Sequence, residues 1–147
     1  MSEAVIGYKL NDILFSRIVG HFENYEPVKF KISYFISAEI ESDDCISLKM
    51  GIQLAPEDFS PGSKVSQMIL VECIGVFKTK GGEIPKMSFV EEFNLAPNML
   101  ATLYPFLREK VHYLFSANRV NYFLDSFNII NFLNNNKEKF KVEDKRK

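Results

Sequence analysis

The sequence is poor in the residue types that carry covalent or metal chemistry. Among 147 residues it has two histidines, His21 and His112, and two isolated cysteines, Cys45 and Cys73. None of these four stands at a spacing typical of a metal site, and two separate cysteines build no disulfide framework. The sequence also lacks a nucleophile elbow and a phosphate-binding loop. We therefore expect a protein that is not an enzyme, holds no cofactor or metal and keeps its thiols reduced in the cytoplasm.

Two further absences exclude other classes of protein. The formal net charge is −1 and there is no basic stripe, so nothing favours nucleic acid as a partner. No apolar run reaches the roughly 18 residues of a membrane span, and the first ten residues lack the pattern of a secretory signal. Apolar residues make up 46% of the chain, which fits a single globular domain over 1–147.

Alternating apolar residues predict strands in the first half of the chain. Val28 to Ile40 and Ile46 to Leu54 alternate cleanly across a polar turn, which predicts an antiparallel hairpin. Val5 to Phe22 is a longer strand whose apolar phase changes at Asn11-Asp12, where we expect a β-bulge.

A further predicted strand, Lys64 to Lys80, is apolar on both sides. Its second side consists of Met68, Leu70, Ile74 and Val76. Such a strand either lies centrally in a core with two sides or turns its second side towards another molecule. The residues themselves leave both alternatives open.

The second half of the chain contains one strong helical pattern, with apolar residues at steps of three and four from Leu100 to Phe115. Pro105 falls inside this pattern and allows two interpretations. Thr102 caps a helix that begins there, or the helix begins near Pro97 and breaks or bends at Pro105. We favour the second interpretation, with a helix from Pro97 to Ala117.

Shorter features are predicted beyond the long helix. The connector from Asn118 to Leu124 is unusually apolar for a loop. A second, short helix is expected from Asp125 or Ser126 to about Leu133. The charged residues from 137 to 147 predict a partly disordered, solvated tail.

Four short motifs, in the order of these predicted elements, resemble a known family. The best match is Leu103–Glu109, which is similar to the family's Leu-Phe-Pro-Tyr-Ala-Arg-Glu run. Ala96–Asn98 is similar to its Cys-Pro-Asn, Ile74–Phe77 to its Gly-Gly-Ile-Phe, and Leu124–Leu133 to its second helix. From about Val5 to Asn134, the chain thus resembles SecB, the tetrameric export chaperone of bacteria.

The resemblance implies an α+β fold, in which a four-stranded antiparallel sheet is followed by one long and one short C-terminal helix. Family members pair into dimers, and two dimers pack through their long helices. The resemblance therefore implies a dimer or tetramer whose interface uses the helical stripe Leu103, Leu107, Val111 and Leu114. Family members hold unfolded, export-competent chains in apolar grooves without ATP and pass them to the motor ATPase SecA.

Client-binding residues are expected where apolar surface remains on the second side of the fourth strand and around the connector. Flexible and flat apolar side chains suit binding that is not sequence-specific, because they adapt to many partners. The candidates are Met68, Leu70, Ile74, Val76, Tyr122, Phe123, Leu124 and Phe127. The alternative is that each of them packs in the core or between subunits.

The sequence departs from the family at the surface that docks SecA. Where the family has Asp-Ile-Ser-Phe-Glu, only Phe22 and Glu23 match, and Leu70 falls where the family has an acid in its third strand. The family's acidic tail is replaced by a lysine-rich one. Some SecB-like chains serve one antitoxin instead, so an interaction subunit with a single partner is the alternative to a general holdase.

Overall fold

The computed structural model describes residues 7–23, 29–57, 67–80, 96–120, 124 and 140–145. Within them, five strands form one mixed sheet, and one long helix packs on it. In chain order the elements are β1 (Gly7–Phe22), β2 (Phe30–Ser42), β3 (Cys45–Pro56), β4 (Gln67–Lys80), α1 (Ala96–Ala117) and β5 (Phe140–Asp144). The order of strands across the sheet is β1-β4-β3-β2-β5.

The first four strands are antiparallel, as predicted. β2 and β3 form the expected hairpin, with Ile40 opposite Ile46 beside the turn. β1 pairs with β4 along its whole length, and its register shifts between Leu10 and Asp12, which confirms the predicted bulge. A second shift between Phe15 and Arg17 was not predicted. At each shift, one extra residue in β1 reverses the alternation, so the side chains that follow lie on the face opposite to the one that the earlier phase would give them. β1 therefore has apolar residues on both faces of the sheet.

The core lies between α1 and one face of the sheet, which we call the inner face. Strands β3 and β4 bury every second residue there, and the helix buries its apolar stripe against them. Gly75 lies beneath the helix, where an added Cβ would stand 3.0 Å from Phe77 Cε2 and 3.1 Å from Leu103 Cδ1. The absence of a side chain at Gly75 therefore lets α1 approach the sheet closely.

The helix begins at Ala96, so Pro97 occupies its first turn and the second interpretation of its start is confirmed. Of the break or bend expected at Pro105, the break does not occur, since α1 continues through Pro105 to Ala117. Pro105 lies on the exposed side of the helix, as does Ala101, whose carbonyl would have accepted its missing hydrogen bond. Water can satisfy that carbonyl, which reduces the cost of the proline.

The C-terminal end of α1 is closed by a left-handed residue. Arg119 has φ of 60°, and the N–H of Val120 donates to the carbonyl of Phe115 at 2.9 Å. The N–H of Arg119 donates to the carbonyl of Ser116 at 3.2 Å. These two bonds form a Schellman motif, which satisfies the last carbonyls and directs the chain back over the core.

The C-terminal residues differ in two ways from the four-stranded antiparallel sheet with a solvated tail that the sequence predicts: they form a strand, and this strand pairs in parallel. Phe140–Asp144 form a fifth strand, and it pairs parallel to β2. Charged residues alternate through this segment, and edge strands tolerate them because one side meets water, so composition alone suggested a tail. The short second helix predicted after Asp125 lies outside the described residues.

Candidate functional site

Four of the predicted client-binding residues share one surface. Met68, Leu70, Ile74 and Val76 lie on the sheet face opposite α1, which we call the outer face, and each is half-buried. The alternate residues of β4, such as Ile69 and Val71, are fully buried on the inner face. The structure therefore assigns the two apolar sides of β4 to different environments.

Strand β1 extends this surface with residues that the sequence analysis does not include among the candidates. Leu14 stands opposite Ile74, and Val19 stands opposite Leu70, so each adds an apolar cross-strand pair on the outer face. Leu14 is 60% exposed and Val19 is 40% exposed. The two bulges in β1 hide this pattern in the sequence, because they change the phase of alternation twice.

A third exposed apolar side chain lies farther along the outer face. Phe35 of β2 stands opposite Gly51 of β3 and is 46% exposed. A Cβ added to Gly51 would meet Phe35 Cδ2 at 3.4 Å, an ordinary van der Waals distance. The phenyl ring therefore lies beside Gly51 of β3, the strand between β2 and β4.

Polar groups divide the apolar part of the outer face. Ser16 Oγ donates to Glu72 Oε1 at 2.8 Å, and Lys49 Nζ lies 3.9 Å from the same oxygen. Arg17 stands opposite Glu72 in the register. Charges of both signs thus lie between the apolar pairs, so the surface can bury apolar groups and also form hydrogen bonds.

Within the described ranges, no group of three or more metal-ligating side chains is found. Nor does the helix described here have the length and apolarity that crossing a membrane requires. Burial raises the pKa of Cys73 to about 12, and the nearby charge of Glu72 acts in the same direction. That thiol is therefore neutral at physiological pH and a poor nucleophile.

The helical stripe that the resemblance assigns to a subunit interface lies against the sheet and not on the surface of the chain. Leu103, Leu107 and Val111 are fully buried within one chain, against the inner face. The structure thus places these three in the core of the single chain, where they have no surface to offer a second copy. Leu114 is half-buried and packs at the edge of that core.

The outward side of α1 carries apolar groups of its own. Phe106 and Tyr113 are both exposed there, with Phe106 exposed to 40%. Lys110 extends over the ring of Phe15, with its Nζ 5.3 Å from the ring centre. The exposed aromatic residues of the helix are therefore Phe106 and Tyr113, rather than members of the predicted stripe.

Two side chains of α1 hold the connector in place at Leu124. The N–H of Leu124 donates to His112 Nε2 at 3.0 Å, and Arg108 Nε donates to the carbonyl of Leu124 at 2.9 Å. Burial lowers the pKa of His112, and the charge of Arg108 lowers it further, which favours the neutral imidazole that accepts this bond. This arrangement gives Arg108, part of the best-matching motif, a structural role.

Leu124 itself is almost completely buried, so little of its side chain is left for a client. Its predicted role in client binding is therefore replaced by packing in the core. The other predicted residues of this region, Tyr122, Phe123 and Phe127, lie outside the described residues. The candidate site that can be described is thus the outer face of the sheet.

Comparison with known proteins bears on this architecture. No protein-family model matches the sequence, and no curated protein sequence is significantly similar to it. A solved structure is similar: the SecB-like chaperone Rv1957 of Mycobacterium tuberculosis, in complex with a ChAD peptide from the HigA1 antitoxin Rv1956. The TM-score is 0.66 at 12% sequence identity, over 83% of this chain and 91% of that one.

The fold is SecB-like. The SecB-like architecture agrees with the expectation from the short motifs, although the sheet has a fifth, parallel strand within the described residues. In this SecB-like fold, the outer face combines Leu14, Val19 and Phe35 with the four predicted residues of β4. At 12% sequence identity, this likeness shows a shared fold alone.

Proposed function

We propose that this chain is an ATP-independent holdase, which binds unfolded polypeptides or preproteins through apolar surface in the cytoplasm. The observation that carries the proposal is the exposed apolar surface of the outer face, centred on the pairs Leu14–Ile74 and Val19–Leu70. Burying apolar surface contributes roughly 25 cal/mol per Å² before ordering costs are subtracted. The SecB-like fold supports a chaperone role in general.

The proposed binding involves no chemical step and no nucleotide. A client is released when it folds or when a partner with higher affinity takes it. Self-association into a dimer or tetramer is part of the proposal, with Phe106 and Tyr113 as the exposed aromatic residues of the helix. Engagement of SecA is left out of the proposal, because by the resemblance Leu70 falls where the family has an acid, with Glu72 nearby.

The test compares two matched double variants in an aggregation assay. Leu14→Ser with Val19→Ser removes apolar groups from the outer face, and Phe106→Ser with Tyr113→Ser removes them from the outward side of α1. The wild type should suppress light scattering by a denatured model protein at stoichiometric amounts without ATP. The outer-face variant should need about tenfold more protein for the same effect, since each lost apolar contact weakens binding. The helix variant should suppress light scattering as the wild type does, whatever its effect on self-association, because its substitutions lie outside the outer face.

Two results would contradict this proposal. Unchanged light scattering in the presence of wild-type protein would show that the chain has no holdase activity. A loss confined to the helix variant would move the binding surface from the sheet to α1. Circular dichroism of both variants, which change only exposed positions, shows whether the fold has been kept.

A second candidate function is an interaction subunit dedicated to one partner, such as an antitoxin. It is favoured by the structural neighbour, whose solved complex contains an antitoxin peptide. Co-purification from a native lysate distinguishes the two functions. One dominant partner at a fixed ratio supports the dedicated subunit, and a broad population of precursors supports the holdase.

A further inference from the structure

The outermost strand beside β2 is β5, which comes last in the chain among the described strands. β5 pairs parallel with β2 in a register that places Val142 opposite Ala38 and Asp144 opposite Ile40. The N–H of Lys145 also donates to the carbonyl of Ile40 at 2.9 Å. The C-terminal strand thus occupies an edge whose backbone groups would otherwise be open to pairing.

The attachment of β5 is slight for a strand in a sheet. It has five residues, against 16 in β1, the strand at the other edge. Val142 is half-buried and packs against the core, whereas Glu143, Asp144 and Lys145 are exposed. Parallel pairing is also somewhat weaker per residue than antiparallel pairing.

One ion pair fastens the end of the strand. Lys145 Nζ lies 2.9 Å from Glu39 Oε2, and both side chains are 42% exposed. Ion pairs at this exposure contribute little to stability because water and salt screen them. Among the side chains that the structure describes, β5 is therefore held by the apolar Val142 and one screened ion pair, beside a few backbone hydrogen bonds.

The segment of β2 that pairs with β5 can serve as the receiving edge of a strand-addition site. Ile36, Ala38 and Ile40 are buried on the inner face, so the backbone there is rigidly placed. An extended peptide can pair with such an edge through its own backbone, with alternate side chains setting specificity. The residues of β5 indicate the preferred partner: an apolar group in the place of Val142 and a basic group that reaches Glu39.

We propose that β5 is a displaceable guard strand, which covers the Ile36–Ile40 edge of β2 until an extended segment of another polypeptide replaces it as a parallel strand. The identity of that segment as part of a client rests on the proposed holdase function. A tethered strand competes at an effective concentration in the millimolar range, so the guard raises the affinity that an incoming segment needs. The guard thereby keeps the edge from pairing with weak partners.

The experiment uses the full chain and a fluorescein-labelled peptide of residues 139–147 as the probe. In a Cys45→Ser background, Ser37→Cys and Lys141→Cys introduce thiols at register partners of β2 and β5. Oxidation locks the guard strand in place, and reduction frees it again in the same protein. The reduced form should bind the probe, and the oxidised form should bind it at least about tenfold more weakly.

A second pair of variants examines the guard without a crosslink. Val142→Asp should bind the probe about tenfold more tightly than the wild type, because it removes the apolar anchor of β5. Val142→Ile, which keeps that anchor, should bind as the wild type does. Equal binding by the oxidised and reduced forms, or no binding by any form, would overturn the proposal.

Hydrogen exchange of the unmodified chain provides a measurement that needs no variant. The amides of residues 140–144 should exchange much faster than those of β3, and equal protection would overturn the proposal. Light scattering, measured separately, reports on the holdase. If the oxidised protein still suppresses aggregation, the holdase function stands but does not depend on displacement of the guard strand. If the probe binds but the protein does not suppress aggregation, the guard-strand proposal stands and the holdase proposal fails.

Discussion

The two faces of the sheet are built from similar apolar residues but have different surroundings. On the inner face, Val71 and Cys73 lie under α1 and are fully buried. On the outer face, Leu14 and Phe35 keep about half of their surface exposed, although the residues of β4 on this face are mainly apolar. Apolar composition therefore does not by itself produce a core, because burial also requires an element such as α1 to cover the face.

The largest expected difference between the faces comes from removing one leucine side chain. Leu107→Ala leaves a cavity under the inner face and should lower the free energy of unfolding by about 2–5 kcal/mol. Leu14→Ala on the outer face should change it by less than about 0.5 kcal/mol, because Leu14 is mostly exposed. Urea unfolding followed by circular dichroism measures both. Similar losses for the two variants would show that the outer face is covered as well.

The next difference concerns the two glycines that lie on opposite faces. Gly75→Ala places a methyl group against the buried Leu103 and Phe77, so the helix must shift and stability should fall by about 1–3 kcal/mol. Gly51→Ala meets Phe35 at an ordinary contact distance and should change stability by less than about 0.5 kcal/mol. Thermal unfolding of the pair measures this contrast. A larger loss for Gly51→Ala would contradict the close approach of α1 to the inner face.

The mildest experiment leaves the sequence unchanged and compares the two native thiols. Cys73 is buried on the inner face and its pKa is raised to about 12, whereas Cys45 is half-buried and its pKa is raised chiefly by burial. At pH 8, a thiol reagent should modify Cys45 at least about 100-fold faster than Cys73. Mass spectrometry of the labelled peptides measures the ratio. Equal rates in the folded protein would mean that the inner face opens readily.

The sequence predicts much of the sheet and the helix because their signals are local. Regular alternation identified the β2–β3 hairpin, and a change of phase at Asn11-Asp12 identified the first bulge of β1. The steps of three and four identified α1, and the preference of proline for the first helical turn placed its start at Pro97, within a residue of the observed Ala96. The two apolar sides of β4 were also visible, since every residue of a strand falls on one side or the other.

The remainder depends on contacts that the local pattern does not contain. The second bulge in β1 is fixed by its pairing with β4, so Leu14 and Val19 could not be assigned to the outer face from the sequence. The helical stripe looked available for a second subunit, because nothing in the sequence says how closely α1 meets Gly75. The strand at residues 140–144 is stabilised by a partner far away in the chain, so its charges suggested only a tail.

The position of β5 in the chain also has a consequence for how the protein is made. β2 and β3 can pair as soon as their hairpin has emerged from the ribosome, but the other edge of β2 waits for residues 140–144, which are synthesised after all the other described strands. Every nascent molecule therefore passes through an interval in which that edge is bare. Neighbouring nascent chains on one messenger RNA have their best opportunity to associate wrongly during this interval, which ends once residues 140–144 have left the ribosome and paired with β2.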